Sequence, residues 1–256
     1  MRYEILGPLR VVDGPSITSL SARKVEVLLA ALLVRADEVV SSEDLVKEIW
    51  GTRAPRQAIA TLHVYVSQLR KFLRRPDRTE SPIVTARGGY VLRLGADEAD
   101  ELDFHIFQDL VRQGSAARRA GRTQEACEAY EEGLGLWRGP VLEDLRDGAI
   151  VNGFVCWAEQ SRLECVESFV DAGLELGRHR EFVSFLYARI EELPLYEAFY
   201  RQLMLALYRS GCRADALSVY QSARTVLGEE LGLEPSAALK RLHHAVLVDA
   251  PEIEAA

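Results

Sequence analysis

The chain has 256 residues, 48% hydrophobic and 27% charged, a soluble globular balance with enough length for one large or two ordinary domains around a buried core. That composition excludes a disulfide-stapled peptide, a fibre and extended disorder, and the longest apolar run, Val27 to Val34, falls far short of the roughly 20 residues that span a bilayer. Glu4, Pro8, Arg10 and Asp13 interrupt any signal-peptide core, so the expectation is a cytoplasmic protein with no membrane partner.

The formal net charge of −8 conceals an asymmetry. Residues 1–95 carry 15 Lys and Arg against 10 Asp and Glu, whereas the remaining 161 residues carry 16 against 29. The excess is sharpest from Arg53 to Arg93, with nine basic residues and only Asp77 and Glu80 as acids. A basic patch on one part of an acidic chain is the electrostatic footprint of a nucleic-acid binder.

In chain order, Tyr3, Ile5, Leu9 and Val11 alternate around Gly7-Pro8, and Asp13-Gly14-Pro15 is a turn signal, so the opening reads as short strands. From Ser21, an expected N-cap, Val25, Leu28, Leu29, Leu32 and Leu33 recur at helical spacing. Ser41-Ser42-Glu43-Asp44 fits a capping box for a second helix through Leu45, Ile49 and Trp50, which Gly51 closes. A third helix is expected to open near Pro55 and run to Leu73 or Arg74, with Ile59, Leu62, Val66, Leu69 and Leu73 on its buried stripe. Its opposite face carries Gln57, Ala60, Thr61, Val64, Gln68, Lys71 and Arg75, edged by Arg56, Ser67 and Arg74, with no acid on it.

After a turn at Arg75-Pro76-Asp77, the runs Ile83–Ala86 and Tyr90–Leu94, joined through Arg87-Gly88-Gly89, read as a β-hairpin with an arginine at its tip. Strands, three helices and a terminal hairpin make a winged helix-turn-helix, whose third helix enters the major groove while the wing lies on the backbone or in the minor groove. The acidic, apolar-poor stretch from Ala96 to Glu101 marks a linker, which divides the chain into residues 1–95, a linker at 96–102 and a second domain at 103–250.

The second domain keeps helical spacing almost throughout, and it repeats. Gly211, Ala216, Tyr220 and Ala223 match Gly121, Ala126, Tyr130 and Gly133 in offset, and Gly177, Phe182, Leu186 and Arg189 lie 34 positions before the last set. That interval is the length of a tetratricopeptide helix pair, so the expected fold class is mostly α: a winged helix followed by a degenerate bundle of three helix pairs.

Enzymatic signals are lacking. No G-x-S-x-G elbow, P-loop or dinucleotide fingerprint occurs, and the carboxylates from Asp97 to Asp103 read as a solvated linker rather than an acid/base or metal cluster. Cys127, Cys156, Cys165 and Cys212 lack C-x-x-C spacing and read as buried thiols, and the five histidines form no H-E-x-x-H motif. The expectation is a protein without catalytic activity, metal or other cofactor.

These residues carry a resemblance. Ile83 to Leu92 resembles the wing of response-regulator winged helices, with two adjacent glycines in place of a more spaced pair. Leu45 to Leu73, with Ile49-Trp50-Gly51, Pro55-Arg56, Leu62, Tyr65-Val66 and Leu69-Arg70, resembles the DNA-binding half of the Streptomyces antibiotic regulatory protein (SARP) family. Leu136–Pro140, Phe199–Tyr208, Ala214–Leu217, Tyr220 and Leu231–Ser236 resemble the bacterial transcriptional activation domain.

The resemblance implies a transcriptional activator of a secondary-metabolite, antibiotic-type gene cluster. It would bind double-stranded DNA at direct repeats near the minus-35 element as a homodimer and recruit RNA polymerase holoenzyme through its sigma subunit. It also implies a chain without the added NTPase module of larger relatives and without a phosphoacceptor receiver domain. On this reading Arg56, Gln57, Thr61, Val64 and Gln68 face bases. Lys71, Arg74, Arg75, Thr85, Arg87, Gly88 and Tyr90 hold the backbone or minor groove, and Trp50, Gly51, Thr52 and Arg53 form the loop offered to polymerase. Two alternatives stay open on the residues alone: a repressor that senses a ligand or partner, and a helical-repeat scaffold that binds no DNA.

Overall fold

The computed structural model describes residues 1–75, 81–94 and 100–250. Most of the turn expected at 75–77, and residues 96–99 of the expected linker, lie outside them. The chain divides into two compact units, Met1–Arg112 with Glu132–Leu163, and Gln113–Glu131 with Glu164–Ala256.

The first unit opens with β1 (Arg2–Glu4), β2 (Arg10–Asp13) and β3 (Ser16–Thr18), then α1 (Arg23–Val34), β4 (Val40–Ser41), α2 (Ser42–Trp50), α3 (Ala58–Phe72), β5 (Ile83–Ala86), β6 (Gly89–Leu92) and β7 (Glu101–Leu102). One sheet runs β3-β2-β1-β7, antiparallel except that β7 pairs parallel to β1. The other runs β4-β6-β5, antiparallel throughout.

Helix α1 is buried at every position from Val27 to Leu33, as its unbroken apolar run requires, and it packs on α2, α3 and β6. Ser21 does not cap it. The N-cap is Ala22, whose carbonyl accepts from the Val25 and Glu26 N–H groups at 2.9 and 3.0 Å, with no side-chain cap. The Ser41 cap of α2 is present: its Oγ accepts from the Asp44 N–H at 3.0 Å and donates to the Asp44 carboxylate at 2.7 Å. Gly51 ends α2 at φ +57°, where a side chain would be strained.

Helix α3 begins three residues later than Pro55 suggests. The Ala58 N–H closes a turn onto the Pro55 carbonyl, and Gln57 is the N-cap. Ala58, Leu62, Val66, Leu69 and Leu73 face the core, and Ile59, expected on the buried stripe, is instead 45% exposed at its margin.

Two buried carboxylates fasten later chain segments onto this unit. Asp103, the first residue of α4 (Asp103–Arg119), was read with the solvated acids but is 1% exposed. Its oxygens accept from the Ile5 N–H at 2.9 and 3.0 Å and the Leu6 N–H at 3.0 Å, and Arg138 lies 3.5 Å away. Burial pushes its carboxyl up, against the lowering effect of the two N–H groups and Arg138. Glu48 of α2, 5% exposed, accepts from the Ile150 and Val151 N–H groups at 2.8 and 2.9 Å. Gly148 lies so close to that carboxylate that a Cβ there would overlap it.

After α4 come α5 (Thr123–Gly135), α6 (Ala149–Glu175), α7 (His179–Glu192), α8 (Glu197–Arg209), α9 (Arg213–Leu231) and α10 (Ala237–Val248). In the second unit the repeated glycines mark equivalent turns. Gly121, Gly177 and Gly211 each adopt a left-handed φ of +73°, +79° and +83° in the short link between consecutive helices. Ala126, Phe182 and Ala216, five residues on, are each buried, as are Tyr130, Leu186 and Tyr220. A side chain at Gly173 would overlap the Phe182 ring, the close approach that such a pair needs. Gln202, fully buried, donates through Nε2 to the Glu167 carbonyl and to Asp171, both at 2.8 Å.

Cys127 and Cys165 are buried as expected, whereas Cys156 and Cys212 are exposed, the first on an outward position of α6 and the second in the turn before α9. Burial pushes the Cys165 thiol up to about 12. Among the described residues no group of His, Cys, Asp and Glu could hold a metal ion, and no helix is long and apolar enough to cross a membrane.

Candidate nucleic-acid interface

The outward side of α3 is built by the same periodicity that buries Leu62, Val66 and Leu69. Gln57, Ala60, Val64, Ser67, Gln68, Lys71 and Arg74 are exposed, and Thr61 is half-buried among them. No acid interrupts the row. Thr61 donates its hydroxyl proton to the Gln57 carbonyl at 3.1 Å, which leaves its methyl and the acceptor side of its oxygen to a partner.

Beside this helix stands the hairpin of β5 and β6, paired from Ile83↔Leu92 to Ala86↔Gly89, with Arg87 and Gly88 alone in the loop. The two glycines have separate tasks. Gly88 takes φ +84° to close the two-residue loop. Gly89 lies against β4, where a Cβ would overlap the Val40 carbonyl oxygen. The Ser42 N–H donates to the Gly88 carbonyl at 2.9 Å, so the loop of the wing is hydrogen-bonded to the first residue of α2.

Arg70 ties the wing to α3 as well. Its Nε donates to the Ile83 carbonyl at 3.0 Å and its Nη2 to Thr85 Oγ1 at 2.8 Å. Because Thr85 accepts from a guanidinium, its own hydroxyl proton remains to donate outward. Tyr90, 6% exposed, meets His63 of α3 edge-on at 6.5 Å between ring centroids. Arg53 and Arg56 before the helix, Lys71 and Arg74 at its end, and Arg87 at the wing tip are all exposed, which frames the apolar and amide centre of α3 with positive charge.

Residues 51–57, between α2 and α3, are exposed without a break. Trp50, just before them, is half-buried, stacked on Tyr65 at 5.7 Å and 16° with the Lys24 ammonium 5.3 Å from its ring centre.

Residues 18–92 match the family described as transcriptional regulatory protein, C terminal, and residues 102–247 match the bacterial transcriptional activator domain. The regulatory protein DnrI of Streptomyces peucetius is 33% identical over 99% of this chain and 94% of its own length. The chain belongs to the Streptomyces antibiotic regulatory protein family of transcriptional activators. The regulatory protein AfsR of Streptomyces griseus is 36% identical over 96% of this SARP, which spans 24% of that longer protein. The solved structure of Mycobacterium tuberculosis EmbR in complex with low affinity phosphopeptide has a TM-score of 0.91 at 29% identity, over 98% of this chain and 65% of that one.

Within the SARP fold, α3 and the wing tip together expose Arg56, Gln57, Val64, Gln68, Lys71, Arg74, Thr85, Arg87 and Gly88, with Thr61 half-buried among them. Two candidates are placed elsewhere. Arg75 is 20% exposed and lies 3.8 Å from both Asp13 and Asp100, so its charge is directed into the protein. Tyr90 is buried under His63 and acts on the wing's position rather than at its surface. In the loop, Gly51, Thr52 and Arg53 are presented outward, and Trp50 is its packed base. Arg70 and His63 are the additions. Arg70 read as a helix-terminal cation, and only the strand partner 13 residues later distinguishes it from Lys71.

Proposed function

We propose that this SARP switches on a secondary-metabolite gene cluster by docking α3 in the major groove and its wing on the adjacent backbone. Two copies sit head-to-tail on direct repeats near the minus-35 element, and the exposed loop from Gly51 to Arg53 meets the sigma subunit of RNA polymerase holoenzyme. The observation that carries this reading is the acid-free outward row of α3 with a basic-tipped wing fixed beside it by Arg70. Direct repeats require head-to-tail docking, so the two protomers would meet through unlike surfaces. Phosphates are held by Lys71, Arg74, Thr85 and Arg87.

The test is selection of bound sites from random duplex DNA by the purified chain, footprinting across a salt series, and transcription from the selected site with purified polymerase. A tandem direct repeat with a steep salt slope and stimulated transcription is the expected result. Inhibited transcription would make the protein a repressor, and no enrichment at low salt would make it a scaffold; each overturns the proposal. At full DNA occupancy Arg53→Ala should lower transcription, and intact activation would remove the loop from the polymerase contact.

A further inference from the structure

The chemistry of the outward row of α3 bears on which base pairs it accepts. Base edges in the major groove sort side chains by type: arginine and lysine bond guanine, glutamine and asparagine bond adenine, and apolar groups contact the thymine methyl. From Ala60 to Gln68 the row holds no arginine, lysine, aspartate or glutamate. It holds the Ala60 methyl, the half-buried Thr61, whose hydroxyl donates to the Gln57 carbonyl, the Val64 isopropyl group at 54% exposure, the Ser67 hydroxyl, and the Gln68 amide, which makes no hydrogen bond among the described residues.

Val64 is exposed in the middle of this neutral row, and its isopropyl group gains an apolar contact only against a partner. The positive side chains lie at the two ends of the row, Arg56 before it and Lys71 with Arg74 after it. Ala60 to Gln68 covers about 12 Å of helix axis at about 1.5 Å per residue, which is about three to four base-pair steps at 3.4 Å each.

We propose that the centre of each half-site is A·T in character, with Val64, backed by the Ala60 and Thr61 methyls, seated on thymine C5-methyl groups and Gln68 bonded to the N6/N7 edge of an adenine. Guanine contacts fall to the flank before the row, under Arg56, while Lys71 and Arg74 keep to phosphates. The inference rests on the DNA-binding reading above and adds the base chemistry that reading leaves open.

Its test begins from the site selected by the full-length chain. Each central thymine is replaced by uracil, which deletes only the methyl, and each central adenine by 7-deazaadenine, which deletes only the N7 acceptor. Affinities are then measured for wild type, Val64→Ala and Gln68→Ala, with circular dichroism to confirm folding, which these exposed positions should preserve.

Wild type should lose about fivefold at one uracil and about tenfold at one 7-deazaadenine. The uracil loss should shrink below about twofold in Val64→Ala, and the deazaadenine loss likewise in Gln68→Ala. A selected centre of G·C pairs, or an A·T centre that tolerates both replacements, would overturn the inference while leaving DNA binding intact. Failure to select any site would overturn DNA binding itself.

Discussion

Glu48 is an acid where an apolar residue would be expected, on the inward side of a helix, and its environment explains it. Both carboxylate oxygens are engaged by backbone N–H groups at the start of α6, donors that have no partner within their own helix. A negative charge there also meets the positive end of the helix dipole. Glu48→Ala should therefore lower stability by about 2 kcal/mol, from two buried donors left unpaired. The urea midpoint should fall while the sequence preference of the remaining folded protein is unchanged, and Glu48→Gln should recover part of the loss through its single amide oxygen. An unchanged midpoint in Glu48→Ala would deny the capping role. The basic residues separate in the same manner. Lys71→Ala should reduce affinity for all duplexes alike and flatten the log–log salt slope by about one unit. Arg75→Ala should leave that slope unchanged, because Arg75 faces Asp13 and Asp100; equal slopes for the two variants would contradict the division.

Between elements, the decisive coupling is that of α3 to the wing. Arg70 bonds one backbone carbonyl and one hydroxyl of β5, so in the proposed docking it acts as a positioning residue for Arg87. In a double-mutant cycle, Arg87→Ala should cost affinity in the wild-type background and less in Arg70→Ala, where β5 has lost its bonds to α3 and β4 alone holds the wing. Additive losses would show two independent phosphate contacts instead. The sequence made the capping box of α2 legible because Ser41 acts on a neighbour three residues away, and the wing because strand alternation and two glycines are local signals. The start of α3 was not legible. Proline is favoured in a first helical turn, yet here the Pro55 carbonyl is taken by a separate turn onto Ala58, and Ile59, at the margin of the apolar stripe, lies outside the core.

For the molecule as a whole, the pattern of periods carried the fold class: strands, three helices and a hairpin, then glycine-marked helix pairs with buried residues at fixed offsets. The contacts that fasten distant segments were not legible, because Asp103 reaches Ile5 across 98 residues and Glu48 reaches Ile150 across 102, and nothing in the local spelling of an acidic stretch distinguishes a buried cap from a solvated charge. Asp103 also sets a pH dependence. Burial raises its carboxyl above the ordinary 3.8, so the folded protein holds that proton more tightly than the unfolded chain. Its contribution to stability is complete below the ordinary value and is lost as pH rises through the raised one. The stability difference between wild type and Asp103→Asn should accordingly be largest below the ordinary value of 3.8 and shrink as pH rises through the raised one, followed by urea unfolding at each pH. A difference that grows with pH would reverse the assignment.

The Glu48 cap has a consequence for how such regulators are recombined. A chimera that joins the first 95 residues to a foreign helical half would carry a carboxylate evolved to sit on the opening of α6 and deny it that seat, and a donor lacking glycine at the position of Gly148 would collide with it. The unit to keep together in this chain is therefore residues 1–112 with 132–163, and grafts cut at the linker should lose stability even when both halves come from working activators.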